Sequence, residues 1–135
     1  MTEADEEVGA DAFRRLMAEV SVPMTREAER SLWLNRAVAV QIASDPERAL
    51  AIARENLDRL EAIQTVANPW LNRWRRVMHA GVDAIVGVLN SRHPEAIELR
   101  QNSPFAGVLD YRERERVLEA FRRHWKQGHP PVSAP

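Results

Sequence analysis

The chain has 135 residues, no cysteine and a formal net charge of −1. That length suits one domain able to bury its own core, and the lack of cysteine excludes disulfides, thiolate metal sites and thiol chemistry, which fits a reducing compartment. The acidic opening MTEADEEVGAD is unlike a secretory leader and no run of 18 apolar residues occurs, so the expectation is a cytoplasmic protein with no membrane association.

The near-neutral total conceals an asymmetry. Residues 1–30 hold eight acids and four bases, and the remainder twelve acids and fifteen bases, so the two parts carry −4 and +3. Eighteen of the nineteen cations are arginine, the exception being Lys126. That bias reflects the base composition of the gene more than arginine-specific recognition, which would need a bidentate partner at each site.

Helical periodicity runs through the chain and no alternating strand pattern competes with it. After an acidic, flexible stretch at 1–8, a short helix is expected at 9–20 and a long one at 25–43. The second of these is apolar almost all round (Leu32, Trp33, Leu34, Ala37, Val38, Ala39, Val40, Ile42, Ala43), as a central helix or an oligomer interface would be. Within the helical region four prolines come directly after polar residues, at Asp45-Pro46, Asn68-Pro69, His93-Pro94 and Ser103-Pro104. Proline suits the first helical turn and Asp or Asn before it can cap free N–H groups, so each pair reads as a helix start.

Helices are therefore expected at 46–66, 69–90 and 94–102. Leu50, Ala53, Leu57 and Leu60 form one apolar stripe, and Trp70, Trp74, Val77, Gly81, Ile85 and Val88 another, which predicts an antiparallel hairpin. A final helix at 110–127 opens on a capping-box spacing, Asp110 with Glu113, and ends at Gly128 and Pro130, leaving a flexible tail over 128–135. The fold class this predicts is all-α, a compact bundle of five to six helices in a single domain over 9–127.

The rhythm breaks at Glu98–Leu109, ELRQNSPFAGVL. Proline and glycine explain a bend here, but a bend does not need Arg100, Gln101 and a large aromatic at Phe105 clustered about it. Arginine and aromatic residues anchor interfaces when desolvated, so Arg100, Gln101, Ser103 and Phe105 are candidate protein-binding residues. The competing reading makes Phe105 a core plug and Arg100 a cap on a carboxylate. Trp70 and Trp125, each near a helix end, are further candidates for a partner, whereas Trp74 falls in the core stripe.

Chemistry-bearing patterns are sparse. His79, His93, His124 and His129 lack a metal-ligand spacing, Glu95 and Glu98 share a helix face without a sign of burial, and Ser103 lacks a nucleophile elbow. No catalytic residue, metal or cofactor is assigned. Nucleic-acid binding has a basis in Arg73, Arg75 and Arg76 around Trp74, and in Arg112, Arg116 and Arg123 of the last helix, although Glu113, Glu115 and Glu119 interleave there.

The order SLWLNRAVAVQIASDPERALAIARENLDRL, WLNRWRRVM and ELRQNSPFAGVL, followed by a charged helix, resembles a family of small all-helical actinobacterial antitoxin-like and regulatory proteins. The similarity spans Leu32 to Arg123 and is strongest at Asp45-Pro46, Ala53–Leu57, Trp70–Trp74 and Leu99–Leu109. The resemblance implies binding rather than catalysis, with a cognate, toxin-like protein as partner, and supplies no catalytic residue. Some relatives carry a helix-turn-helix near the amino terminus; residues 1–31 are too short and acidic for one, which counts against autonomous operator binding. The expected function is a non-catalytic interaction module, with a DNA-binding regulator, possible as a homodimer, as the alternative.

Overall fold

The computed structural model describes residues 23–63 and 68–130. Among them are six α-helices and no strand: α1 Arg26–Ser44, α2 Pro46–Ile63, α3 Pro69–Ala80, α4 Val82–Asn90, α5 Pro94–Gln101 and α6 Tyr111–Gly128. The stretch at 1–8, the helix expected at 9–20, the 64–66 end of the helix expected at 46–66 and residues 131–135 of the tail lie outside the described residues. No described helix is long and apolar enough to cross a membrane.

Local chemistry sets most of the boundaries. Thr25 accepts the Ala28 N–H at 3.1 Å to open α1, and Asn68 accepts the Trp70 N–H at 2.9 Å to open α3. At α5 the cap is an imidazole, with His93 Nδ1 accepting the Glu95 N–H at 3.1 Å. The Asp110–Glu113 capping box of α6 is complete: Asp110 accepts the Glu113 N–H at 2.7 Å and Glu113 accepts the Asp110 N–H at 3.3 Å.

Two expected helix boundaries fail. The single helix predicted over 69–90 is broken at Gly81, whose φ of +109° lies in the region that favours glycine. Periodicity alone could not reveal this, because the apolar stripe continues in phase across the break. Ser103-Pro104 does not start a helix either. The Ser103 Oγ accepts the Phe105 N–H at 3.3 Å, and Phe105 to Val108 then form a tight turn closed by a 3.1 Å hydrogen bond, with Gly107 at φ +95°. The last helix waits until Tyr111.

Helix α1 is the axis of the bundle and packs against α2, α4, α5 and α6. It buries Leu32, Asn35, Val38, Ala39 and Ile42, but it is not apolar all round in use, since Val40 is 67 % exposed. The predicted pairing of the 46–66 and 69–90 segments holds only for α2 with α3, where Arg75 of α3 meets Asp58 at 3.0 Å and also Glu61 of α2. Because the chain turns at Gly81, α4 leaves that pair and lays Ala84, Ile85, Val88 and Leu89 into the core, packing on α1.

The main core gathers apolar side chains from α1 to α5 and the bend; α6 adds none to it. Helix α6 joins instead through a separate aromatic contact, Trp33 edge-on to Phe121 at 5.6 Å, and through Gln41 donating to Glu113 at 2.6 Å, which together run α6 antiparallel to α1. Arg92, in the connection before α5, pairs with Glu29 of α1.

Trp74 is fully buried; its indole N–H donates to the Leu99 carbonyl at 2.9 Å and its ring meets Phe105 edge-to-face at 5.7 Å. Trp74→Ala should therefore cost about 3–5 kcal/mol, read as a drop in the urea midpoint, with an unchanged midpoint contradicting its core role. Gly81→Ala tests the break separately. A methyl group there would meet nothing within 4 Å beyond its own chain neighbours, so the expected loss of about 1–3 kcal/mol comes from the backbone conformation, φ +109° with ψ 177°, which belongs almost only to glycine.

A candidate recognition cleft at the bend

The bend is held from α2. Arg48, Ile52 and Asn56 stand one turn apart along that helix: Arg48 donates to the Val108 carbonyl at 3.2 Å, and Asn56 donates to those of Pro104 at 2.7 Å and Ala106 at 3.0 Å. Ile52 lies beneath Gly107, 3.9 Å from where a side chain would begin. An irregular segment with no strand partner thus has its backbone acceptors satisfied by helix side chains.

The sequence candidates separate once placed. Phe105 is not displayed to a partner: it is 3 % exposed and plugs the core against Trp74. Arg100 is equally hidden, 4 % exposed, and caps carbonyls rather than a carboxylate. Its Nη1 donates to Val88 O at 2.7 Å and Ser91 O at 2.6 Å, both at the carboxyl end of α4, where the helix dipole favours a cation. Burial is the main cause that pushes its pKa down to about 10, with Arg36 and Arg92 adding repulsion and Glu29 opposing them. The Nε and Nη2 atoms are buried without a hydrogen-bond partner.

Gln101 is exposed and Ser103 half-buried. Together with Arg100 and Phe105 they line one cleft of about 310 Å³, whose opposite wall is Leu34, Asn35 and Val38 of α1 and whose rim includes Leu109 and Arg114. Four candidates of the sequence therefore converge. The α1 wall was not anticipated, although a polar Asn35 inside an apolar run was its available signal; Asn35 is buried and donates to the Ser31 carbonyl at 2.8 Å. Arg114 reads in the sequence only as one of the arginines crowding the last helix, a basis for nucleic-acid binding rather than for this cleft.

Trp70 and Trp125 lie outside the cleft. Trp70 is half-buried against the core under the Arg73 guanidinium, 4.9 Å from its ring, while Trp125 stacks on His129 at 3.7 Å. The arginines proposed for nucleic acid are divided between α3 and α6. Arg73 pairs with Glu95 at 3.3 Å, and hydrogen bonding to Asp58 chiefly holds the Arg75 guanidinium above its ordinary pKa. Arg76 is exposed; on α6, Arg123 approaches Glu119 at 3.8 Å, while Arg112 and Arg116 are exposed without a carboxylate partner among the described residues. Among those residues no group of three or more His, Asp or Glu side chains is placed to hold a metal ion.

Comparison of the chain with protein-family models, with curated proteins and with solved structures yields no match.

The α2 clamp is what keeps the cleft in shape. Asn56→Ala removes two bonds to carbonyls that water can partly reach and should cost about 0.5–1.5 kcal/mol, with faster amide exchange at Phe105 and Val108. Unchanged exchange at those amides would show that the bend holds itself.

Proposed function

We propose that the protein is a non-catalytic interaction module, an antitoxin-like or regulatory subunit that binds a cognate, toxin-like protein through the cleft at the bend. The observation that carries this reading is convergence. Arg100, Gln101, Ser103 and Phe105, close together in sequence, meet residues of α1 and Arg114 of α6 around one concave site. Its apolar walls and polar rim have the anatomy of an interface anchor site, in which a partner side chain is desolvated at the centre and hydrogen-bonded at the edge.

A DNA-binding reading draws on one observation, the exposed arginines Arg112 and Arg116 on a helix that meets the bundle along one side. Arg122 and Arg123, by contrast, share Glu119. Binding through such a helix would weaken steeply with salt, whereas binding in the cleft depends less on ionic strength.

The deciding experiment is capture of proteins encoded beside this gene by the untagged chain, and then the same capture with Gln101→Ala combined with Arg114→Ala. Both side chains are exposed, so the thermal midpoint should stay within about a degree or two while affinity for the captured protein falls at least tenfold, about 1.4 kcal/mol. Unchanged affinity overturns the cleft as the recognition site.

A further inference from the structure

We infer that the cleft is a socket for a tryptophan side chain of the partner protein, with the indole N–H donating to the amide oxygen of Asn35. This rests on the cleft being the recognition site and names the side chain that the site takes. The signal is the unequal use of Asn35. Its Nδ2 is engaged within α1, donating to the Ser31 carbonyl at 2.8 Å and to the Ser31 Oγ at 3.3 Å. A carbonyl can only accept, so the nitrogen of the Asn35 amide must face Ser31 and the oxygen must point away from it.

No donor among the described residues reaches that oxygen. Asn35 is 7 % exposed, yet its Oδ1 is not sealed in, because the described side-chain atoms buried without a partner are Nε and Nη2 of Arg100. The oxygen therefore borders open space, and the space that Asn35 lines is the cleft. A nearly buried acceptor, fixed in direction and unpaired within the fold, is matched by a donor that arrives from outside.

The walls narrow the occupant. Leu34, Val38, Phe105 and Leu109 are apolar, so the donor is carried on an apolar body, and the volume of about 310 Å³, on the order of ten waters, admits one large side chain. Arg114 at the rim repels a lysine or arginine. Tyrosine brings a donor together with lone pairs that need donors of their own, whereas indole donates once and accepts nothing, which complements a lone acceptor. The core already holds an indole by the same two contacts: Trp74 donates to the Leu99 carbonyl at 2.9 Å and meets Phe105 edge-to-face at 5.7 Å. Arg114 can cover such a ring as Arg73 covers that of Trp70, 4.9 Å away. The chain's own tryptophans are engaged within the fold, Trp33 against Phe121, Trp70 under Arg73, Trp74 in the core and Trp125 on His129, so the occupant belongs to another protein, where tryptophan is a common interface anchor.

The test titrates the isotope-labelled full chain with four probes and follows by NMR the side-chain amide of Asn35 and the backbone amides of Phe105 and Gly107. The probes are N-acetyl-tryptophanamide, its benzothienyl analogue in which sulfur replaces the indole N–H, N-acetyl-tyrosinamide and N-acetyl-leucinamide. The tryptophan probe should bind at least tenfold tighter than each of the others, about 1.4 kcal/mol, and shift the Asn35 signal. Asn35→Leu removes the acceptor at similar volume and should erase the difference between indole and benzothienyl; Leu34→Trp narrows the cleft from α1 and should weaken the tryptophan probe at least tenfold, whether or not the leucine variant folds. Failure of the tryptophan probe to bind, equal binding of indole and benzothienyl, preference for the tyrosine or leucine probe, unmoved signals at Asn35 and Phe105, or indifference to Leu34→Trp overturns the socket. Each of these results leaves the protein-interaction reading standing or falling on the capture experiment alone.

Discussion

The bundle depends on the peptide unit between Leu99 and Arg100. Leu99 offers its carbonyl to the indole of Trp74, the largest fully buried side chain, and Arg100 reaches back to the last carbonyls of α4. Two side-chain-to-backbone ties at consecutive positions thus fasten a helix of only eight residues to both α3 and α4. A helix that short has little stability of its own, so its conformation is imposed by these ties and by burial of Ala96 and Leu99. The bend beyond it inherits its direction from them, and with it the placement of Phe105 under the cleft.

Much of the architecture was legible because capping is local chemistry. Asp45, Asn68 and Asp110 announce helix starts with their own side chains, and a stripe such as Ala53 and Leu57 announces a buried face. What escaped was non-local or conformational. Gly81 sits in phase with its apolar neighbours, so nothing in the pattern separates a glycine that merely continues a stripe from one that reverses φ. Ser103 resembles a helix cap because a serine oxygen accepts an N–H two or three residues on in either setting. The outcome is decided further along the chain, where the carbonyl of Pro104 is taken by Asn56, 48 residues away.

The candidate site was half legible for the same reason. The unusual residues of the bend could be read as a cluster from their adjacency, but their division of labour could not. Phe105 and Arg100 look like anchors for a partner in a one-dimensional view, and in the folded protein they are foundation: one fills the core, the other stitches helix ends together. Among the polar side chains lining the cleft, the exposed ones are Gln101 and Arg114, the latter from a helix whose other arginines face water or pair with Glu119. Burial near Arg36 and Arg92 costs the fold something at Arg100, and its two bonds to the last carbonyls of α4 offset part of that cost.

The row of Arg48, Ile52 and Asn56 bears on how separable the bend is from the rest of the chain. A loop closed by its own turn can be lifted from one scaffold to another with its sequence. This one cannot, because half of the instructions for its shape reside on a helix about fifty residues earlier, spaced at one helical turn to match the carbonyls of the turn lying across them. Transplanting residues 101–109 alone would carry the surface chemistry without its geometry. The portable unit is the pair, helix and bend, and substitutions on that face of α2 are expected to be felt at a cleft they do not line.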